Sequence, residues 1–236
     1  MTLQSVEFII GTVTVIFAYF VSITVIGYAE AYVARWAGDD TPEQYGFLSG
    51  NPMAYFSFFG FLCTILFGFG WGQNIPFNPH NVDRRPKLLS VMSVYLAQPF
   101  FSLVLSFMTL ILCVMVSGPE SLQFVFWRIL SSSVPFQKLA ATYPERSSFV
   151  IVAVIFLLSL VAFNLFLATL SLITNLFQFI LFVGAEHGYD YMRYADVIAF
   201  FGPLIIFLLF TGRILMSLTS LIVSLAYKFS ALCGVC

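Results

Sequence analysis

The longest uncharged stretch of the chain, SSFVIVAVIFLLSLVAFNLFLATLSLITNLFQFILFVGA at residues 147–185, decides the class of fold. A helix crosses the core of a bilayer with about 20 predominantly apolar residues. The stretch is about twice that length, so it predicts either two passes or one long tilted helix with a re-entrant piece. A run of this length and character indicates a membrane protein.

Further uncharged runs, each near the length of one crossing, lie before and after this stretch. They cover residues 8–27, 52–82, 88–119 and 197–212, with a continuation over 214–227. Of the 236 residues, 60% are hydrophobic and 9% are charged, whereas an ordinary soluble domain has about 45–50% apolar and about 25% charged residues. We therefore predict an all-α polytopic membrane protein with five or six transmembrane helices joined by short extended or β-strand loop segments.

The predicted organisation is a single integral membrane domain over residues 1–236. Its expected spans are about 8–35, 54–72, 88–117, 147–183 and 195–227, the fourth in one or two passes. The first is predicted to be a retained helix and not a signal peptide, because no Lys or Arg precedes it. A net charge of -1 gives no electrostatic case for nucleic acid. The expected partners are the lipid bilayer and a membrane protein or transmembrane helix, in a plasma or inner membrane.

Two loops of opposite charge flank the run at 52–82. The acidic loop contains Asp39, Asp40 and Glu43, and the basic loop contains Arg84, Arg85 and Lys87. If the chain crosses the membrane between them, the positive-inside rule places the basic loop in the cytoplasm and the acidic loop outside. The acidic loop also offers a short strand at 45–48.

The segment FGWGQNIPFNPHNVDRRPK, residues 69–87, is not a regular helix, because it contains three prolines, two glycines and three asparagines. Irregular backbone at membrane depth persists only where protein or water satisfies its polar groups. The segment is therefore either an external loop or the lining of a cavity.

Polar residues inside the apolar runs predict hydrogen bonds between helices. Pro99 leaves a backbone carbonyl free and kinks its helix. Interhelical bonds of this kind are each worth about 1 kcal/mol. We expect them, in preference to substrate contacts, at Gln98, Ser102, Asn164, Asn175 and Gln178.

Several short motifs occur in a recognisable order. AYVARWAGD covers residues 31–39, the pair Asn51-Pro52 follows a glycine-bearing loop, and GWGQNIPFNPHNV covers 70–82. They are followed by YLAQPFFSL at 95–103, NLF at 175–177 and FGPLIIFLLFTG at 201–212. In this order they resemble the site-2 protease family of intramembrane zinc metalloproteases over about residues 26–227, so a site-2-protease-like membrane fold is expected.

The resemblance also locates the positions where the family carries its chemistry. It places the family's H-E-x-x-H motif, with two zinc-binding imidazoles and a general base, on residues 26–30. There the chain has Ile26, Gly27 and Glu30 at the three functional positions. The family's third ligand, an Asp, falls on Glu186, or on His187 or Asp190 if the alignment slips. Ile26, Gly27, Glu30 and Glu186 are therefore interpreted as degenerate active-site positions, with no catalytic residue, no metal ligand and zinc lost.

The chain contains two histidines, His80 and His187, in separate segments. We hypothesise that Glu30 and Glu186 face each other across the vacated site and are held by Arg193, Arg35 or a shared proton. The alternative is that Glu30 sits at the membrane interface, near Arg35, and reaches water. The sequence leaves both open.

The function predicted from these features is that of a catalytically inactive pseudoprotease, which binds or scaffolds transmembrane partners. One alternative is a divergent active metalloprotease that uses Glu30, Glu186 and one histidine. Another is a transporter or a structural subunit of a membrane complex. The expected partner-binding positions are Asn51, Pro52, Asn78, Pro79 and Asn175.

Overall fold

The protein is described by a computed structural model over residues 3–130, 136–186 and 216–232. Eight α-helices occur in this part of the chain. In order they are α1 (Leu3–Ala37), α2 (Thr41–Gln44), α3 (Phe58–Phe67), α4 (Lys87–Ser117), α5 (Gln123–Leu130), α6 (Phe136–Thr142), α7 (Ser148–Glu186) and α8 (Met216–Leu232).

The predicted all-helical membrane architecture is confirmed at a coarse level. Helices α1, α4 and α7 are each long and apolar enough to cross a bilayer, whereas α3 and α8 are apolar but shorter. The described residues thus supply three candidate spans, not the predicted five or six, and much of the region expected to span at 195–227 lies outside them. The same residues contain no β-strand.

Helix α7 is one unbroken helix of 39 residues. At 1.5 Å per residue it is about 58 Å long, well beyond a hydrocarbon core of about 30 Å. Its sequence contains no proline, and its first glycine is Gly184, so nothing breaks the helix for a second pass. The two-pass alternative for 147–183 is therefore wrong.

The three long helices pack against one another. The order of the contacts between them makes α1 and α7 parallel and α4 antiparallel to both. Two polar contacts fix the parallel pair: Thr14 lies 3.4 Å from the Ser159 hydroxyl, and Asn164 Nδ2 donates to Ser22 Oγ at 2.9 Å. The end of α1, the start of α4 and the end of α7 consequently meet at one end of the bundle, which we call the upper end. Apolar side chains of all three helices pack there.

Between α1 and α4 the chain makes a re-entrant segment, residues 52–78. Ser57 caps the start of α3 by accepting from the Gly60 N–H at 3.3 Å, and Gly68 ends the helix with a left-handed φ of 77°. The chain then runs back along α3, which is possible because Gly60 and Gly70 lack side chains. A Cβ on Gly60 would collide with the backbone of Trp71.

The re-entrant segment lies against the middle of α1. The Tyr19 hydroxyl donates to the Ser57 carbonyl at 3.1 Å and accepts from the Ser57 N–H at 3.1 Å. Further along, Gly72 packs on Ile23. Because Ile23 precedes the end of α1 by 14 residues, or about 21 Å, the segment reaches well into the depth of the bundle.

This geometry corrects three predictions. Residues 54–72 do not form a span, because α3 has only 10 residues and the chain turns back after it. The acidic and basic loops therefore lie at the same upper end of the bundle and not on opposite sides of the membrane. The short strand expected at 45–48 is a turn, held by the Tyr55 hydroxyl donating to the Phe47 carbonyl.

Candidate functional site

The three positions on α1 where the resemblance places metal chemistry differ in their surroundings. Ile26 is buried, with 1% of its surface exposed, inside an apolar cluster. Gly27 faces the ring of Tyr55, and a Cβ at this position would collide with the Tyr55 Cδ1 and Cε1 atoms. An aromatic ring thus occupies the space beside Gly27 that a side chain there would need.

These residues do not fit a zinc site of the family's type. The side chain of Ile26 has no donor atom, Gly27 has no side chain, and Glu30 alone offers oxygen. Among the described residues, no group of three or more His, Cys, Asp and Glu side chains is placed to hold a metal ion.

Glu30 is half-buried on α1, one helical turn beyond Gly27. In the described part of the chain its carboxylate has no hydrogen-bond or ion-pair partner. Arg35, expected as a partner, pairs instead with Glu43 at 3.1 Å. That version of the hypothesis is wrong, and the version with Arg193 falls outside the described residues.

Glu186, at the last position of α7, is exposed and approaches a histidine. Its Oε1 lies 4.0 Å from Nδ1 of His80, and the His80 ring also stands edge-on to Phe182. The sequence alone does not indicate which of the two histidines lies near Glu186, and the structure identifies His80. His187 and Asp190, the other matches for the third ligand, lie outside the described residues.

Sequence reasoning placed Asp39 in the acidic loop and missed its structural role, since the side chain is fully buried. Its Oδ2 accepts from the Asn78 N–H at 2.8 Å, and its Oδ1 accepts from Asn81 Nδ2 at 3.0 Å. The N–H and hydroxyl of Thr41 also donate to Oδ1. Asp39 therefore joins the end of α1 to the N-P-H-N turn. The sequence signal for this junction is the pair Gly38-Asp39 directly after a long apolar helix.

The two Asn-Pro pairs expected to bind a partner have local structural roles. Asn51 accepts from the Met53 N–H at 3.0 Å, and Asn78 accepts from the His80 N–H at 3.1 Å. Pro52 and Pro79 take the first position of the 3₁₀ turns that follow. The pairs thus shape the entry and the exit of the re-entrant segment, and their contact with a partner stays a prediction.

Asn175 bridges α7 to α4 at the turn that precedes Pro99. Pro99 has no N–H, so the carbonyl of Tyr95 four residues earlier lacks its helical donor. Asn175 Nδ2 donates to that carbonyl at 2.9 Å and approaches Gln98 Oε1 at 3.4 Å. The predicted interhelical hydrogen bond is confirmed here, as it is for Asn164.

The returning half of the re-entrant segment, residues 69–77, offers unpaired backbone. Within the described chain its one backbone hydrogen bond joins the Gln73 N–H to the Tyr55 carbonyl at 2.8 Å. The side chains of Gln73 and Asn74 are exposed. Extended backbone with free N–H and C=O groups can accept a strand from another chain.

The three long apolar helices, with a segment that folds back beside α1, fit a multi-pass helical membrane protein. Over 96 residues the chain is 38% identical to a protein of Bacillus subtilis (strain 168) named "Putative zinc metalloprotease YwhC". The matched region covers 41% of this chain and 43% of that protein. This similarity supports a relationship to metalloproteases. No family model and no solved structure matches the chain.

Proposed function

We propose that this protein is a non-catalytic, site-2-protease-like membrane protein that holds a transmembrane segment of a partner. The observation that carries the proposal is the packing at Gly27. The ring of Tyr55 occupies the space beside this position, and the neighbouring Ile26 side chain is buried and apolar. A site built this way offers neither a metal ligand nor a general base at two of the three positions that need one.

The binding surface would be the extended backbone at residues 69–77. It lies beside α1, and most of its N–H and C=O groups have no partner among the described residues. Lipid cannot satisfy such groups, whereas an unwound partner segment can do so by adding a strand. The half-buried Glu30 is one turn from Gly27 and would face the same occupant.

Metal analysis tests the non-catalytic part of the proposal. We expect the protein, purified in mild detergent without chelator, to contain no stoichiometric metal, and the Glu30→Gln variant to be the same. A stoichiometric metal that is lost on Glu30→Gln would overturn it.

Photocrosslinking tests the binding part. A photoreactive residue in place of Ile75, on the extended backbone, should crosslink a membrane protein in cells. The same residue in place of Met115, which is exposed on α4, serves as the control. In addition, Asn74→Pro removes a backbone donor and should reduce crosslinking from position 75, whereas Asn74→Ala should not. Equal crosslinking from positions 75 and 115 would argue against a binding surface here.

A divergent metalloprotease remains the second candidate, favoured by the approach of His80 to Glu186 at 4.0 Å. Both groups are metal ligands in other proteins. If this candidate is correct, purified protein cleaves a transmembrane substrate, and His80→Ala and Glu186→Gln each abolish both cleavage and metal content. The transporter or structural-subunit alternative stays a prediction.

A further inference from the structure

A groove of about 510 Å³ opens on the outer surface between α1 and α4, near the upper end of the bundle. Its volume lies within the range of about 300–1,000 Å³ that is usual for small-molecule sites. The residues that line it are Tyr32, Val33, Trp36, Ser93, Leu96, Ala97, Phe100 and Phe101. All of them belong to α1 and α4, which are both candidate membrane spans, so in a bilayer the groove would face the hydrocarbon region and its interface.

The lining is apolar and bulky. More than half of the surface of Tyr32, Trp36 and Phe100 is exposed. Helix–helix contacts in membranes favour small residues that let two backbones approach closely. Here only Ser93 and Ala97 are small, so the lining suits a flexible hydrocarbon chain better than a second helix.

A cation is fixed at the mouth of the groove. The guanidinium carbon of Arg84 lies 3.4 Å from the centroid of the Trp36 ring, and Arg84 Nη1 donates to the Trp36 carbonyl at 3.1 Å. This cation–π contact and hydrogen bond hold an exposed positive charge directly beside a lining residue.

Two further basic residues, Arg85 and Lys87, are exposed next to Arg84, and Lys87 begins the helix that forms one wall. Asp83 is the one acid in the sequence 83–87, so this stretch carries a net positive charge. The neighbouring loop has two exposed acids. Glu43 pairs with Arg35, so Asp40 alone is left to oppose the positive charge of residues 83–87. Basic residues that border an apolar site between membrane helices are typical of a site for anionic lipid headgroups.

We propose that this groove binds one anionic phospholipid, with an acyl chain between α1 and α4 and the phosphate at Arg84 and Lys87. The charge complementarity at the mouth selects an anionic headgroup over a zwitterionic one, and the apolar walls select a lipid over a free phosphate. None of the residues that line the groove belongs to the segment 69–77, so the proposal does not depend on the proposed function.

Native mass spectrometry of the detergent-solubilised protein tests this. Titration with phosphatidylglycerol should show one tightly retained lipid, bound roughly tenfold more strongly than phosphatidylcholine. The double variant Arg84→Gln/Lys87→Gln should weaken phosphatidylglycerol binding by roughly tenfold, to the level of phosphatidylcholine, and leave phosphatidylcholine binding unchanged. The control is Arg146→Gln, an exposed arginine in the loop before α7, which should bind as the wild type does.

Filling the groove tests the acyl-chain half of the site. Leu96→Trp should abolish retention of the lipid, whereas Leu112→Trp, at an exposed position of α4 outside the groove, should not. If Leu96→Trp fails to fold, Ser93→Phe fills the same space. Equal binding of the two lipids by the wild type would overturn the proposal, as would unchanged binding in the groove variants. Loss of a copurifying membrane protein from Leu96→Trp, with lipid binding intact, would overturn it in favour of a partner helix.

Discussion

The carboxylate of Asp39 accepts a hydrogen bond from the backbone N–H of Asn78 at 2.8 Å, although 39 residues separate the two. Asp39 follows α1, and Asn78 ends the re-entrant segment. Both residues therefore lie at the upper end of the bundle. Between them, the chain runs down into the bundle, turns after α3 and returns to the same end. It explains why loops of opposite charge lie together.

The first prediction concerns topology. In a background whose native cysteines are replaced by serine, Glu43→Cys and Arg85→Cys should react with a membrane-impermeant thiol reagent from the same side of the membrane. Helix α4 then crosses to the other end, so Glu145→Cys should react only from the opposite side. Reaction of positions 43 and 85 from opposite sides would mean that α3 and the returning chain form a complete crossing.

A second prediction concerns the stability of this junction. Asp39→Asn removes the charge from a buried group that accepts four hydrogen bonds. We expect a loss of about 1.5–3 kcal/mol in the free energy of unfolding, the usual size for bonds to a charged group. Denaturation in mixed micelles, followed by tryptophan fluorescence, measures it. Asp40→Asn, at an exposed position, should stay within about 0.5 kcal/mol of the wild type. An equal loss of unfolding free energy for the two substitutions would show that the hydrogen bonds of Asp39 do not stabilise this junction.

The long helices are predictable from sequence because their length and lack of charge leave few alternatives in a bilayer. The conformation of residues 52–82 is not predictable from sequence, since an uncharged run of that length suits a membrane crossing as well as a re-entrant turn. What decides between them is the backbone contact of Gly60 with Trp71, together with the left-handed Gly68. Close backbone packing of this kind depends on tertiary geometry and leaves no periodic signal.

At the candidate site, the absence of ligand atoms at Ile26 and Gly27 is visible in the sequence itself. The position of the Tyr55 ring is not, because Tyr55 lies 28 residues along the chain and reaches Gly27 only through the re-entrant fold. The hydrogen bond of Asn175 is partly predictable from sequence. Pro99 reveals which carbonyl is free, but only the packing of α7 on α4 identifies its donor.

The third prediction concerns the packing of Gly27. Gly27→Ala places a methyl group against the Tyr55 ring and should destabilise the protein by about 1–3 kcal/mol, as overpacking of a core does. The control is Gly11→Ala on the same helix, where a Cβ meets nothing within 4 Å. Because alanine favours a helix, this control should be neutral or more stable by up to about 1 kcal/mol. In a Tyr55→Leu background the cost of Gly27→Ala should fall, and an unchanged cost would mean that the ring is not the obstacle.

The fourth prediction concerns the carbonyl that Pro99 leaves free. Asn175→Ala removes the donor to the Tyr95 carbonyl and should cost about 1 kcal/mol, the usual size of a hydrogen bond between membrane helices. Pro99→Ala restores an N–H that can donate to the same carbonyl within α4. In that background Asn175→Ala should cost at most about half as much, so the two substitutions should not be additive. Unfolding of all four proteins in mixed micelles measures the coupling. Additive effects would show that Asn175 stabilises the protein through some other contact, of which the approach to Gln98 is the nearest alternative.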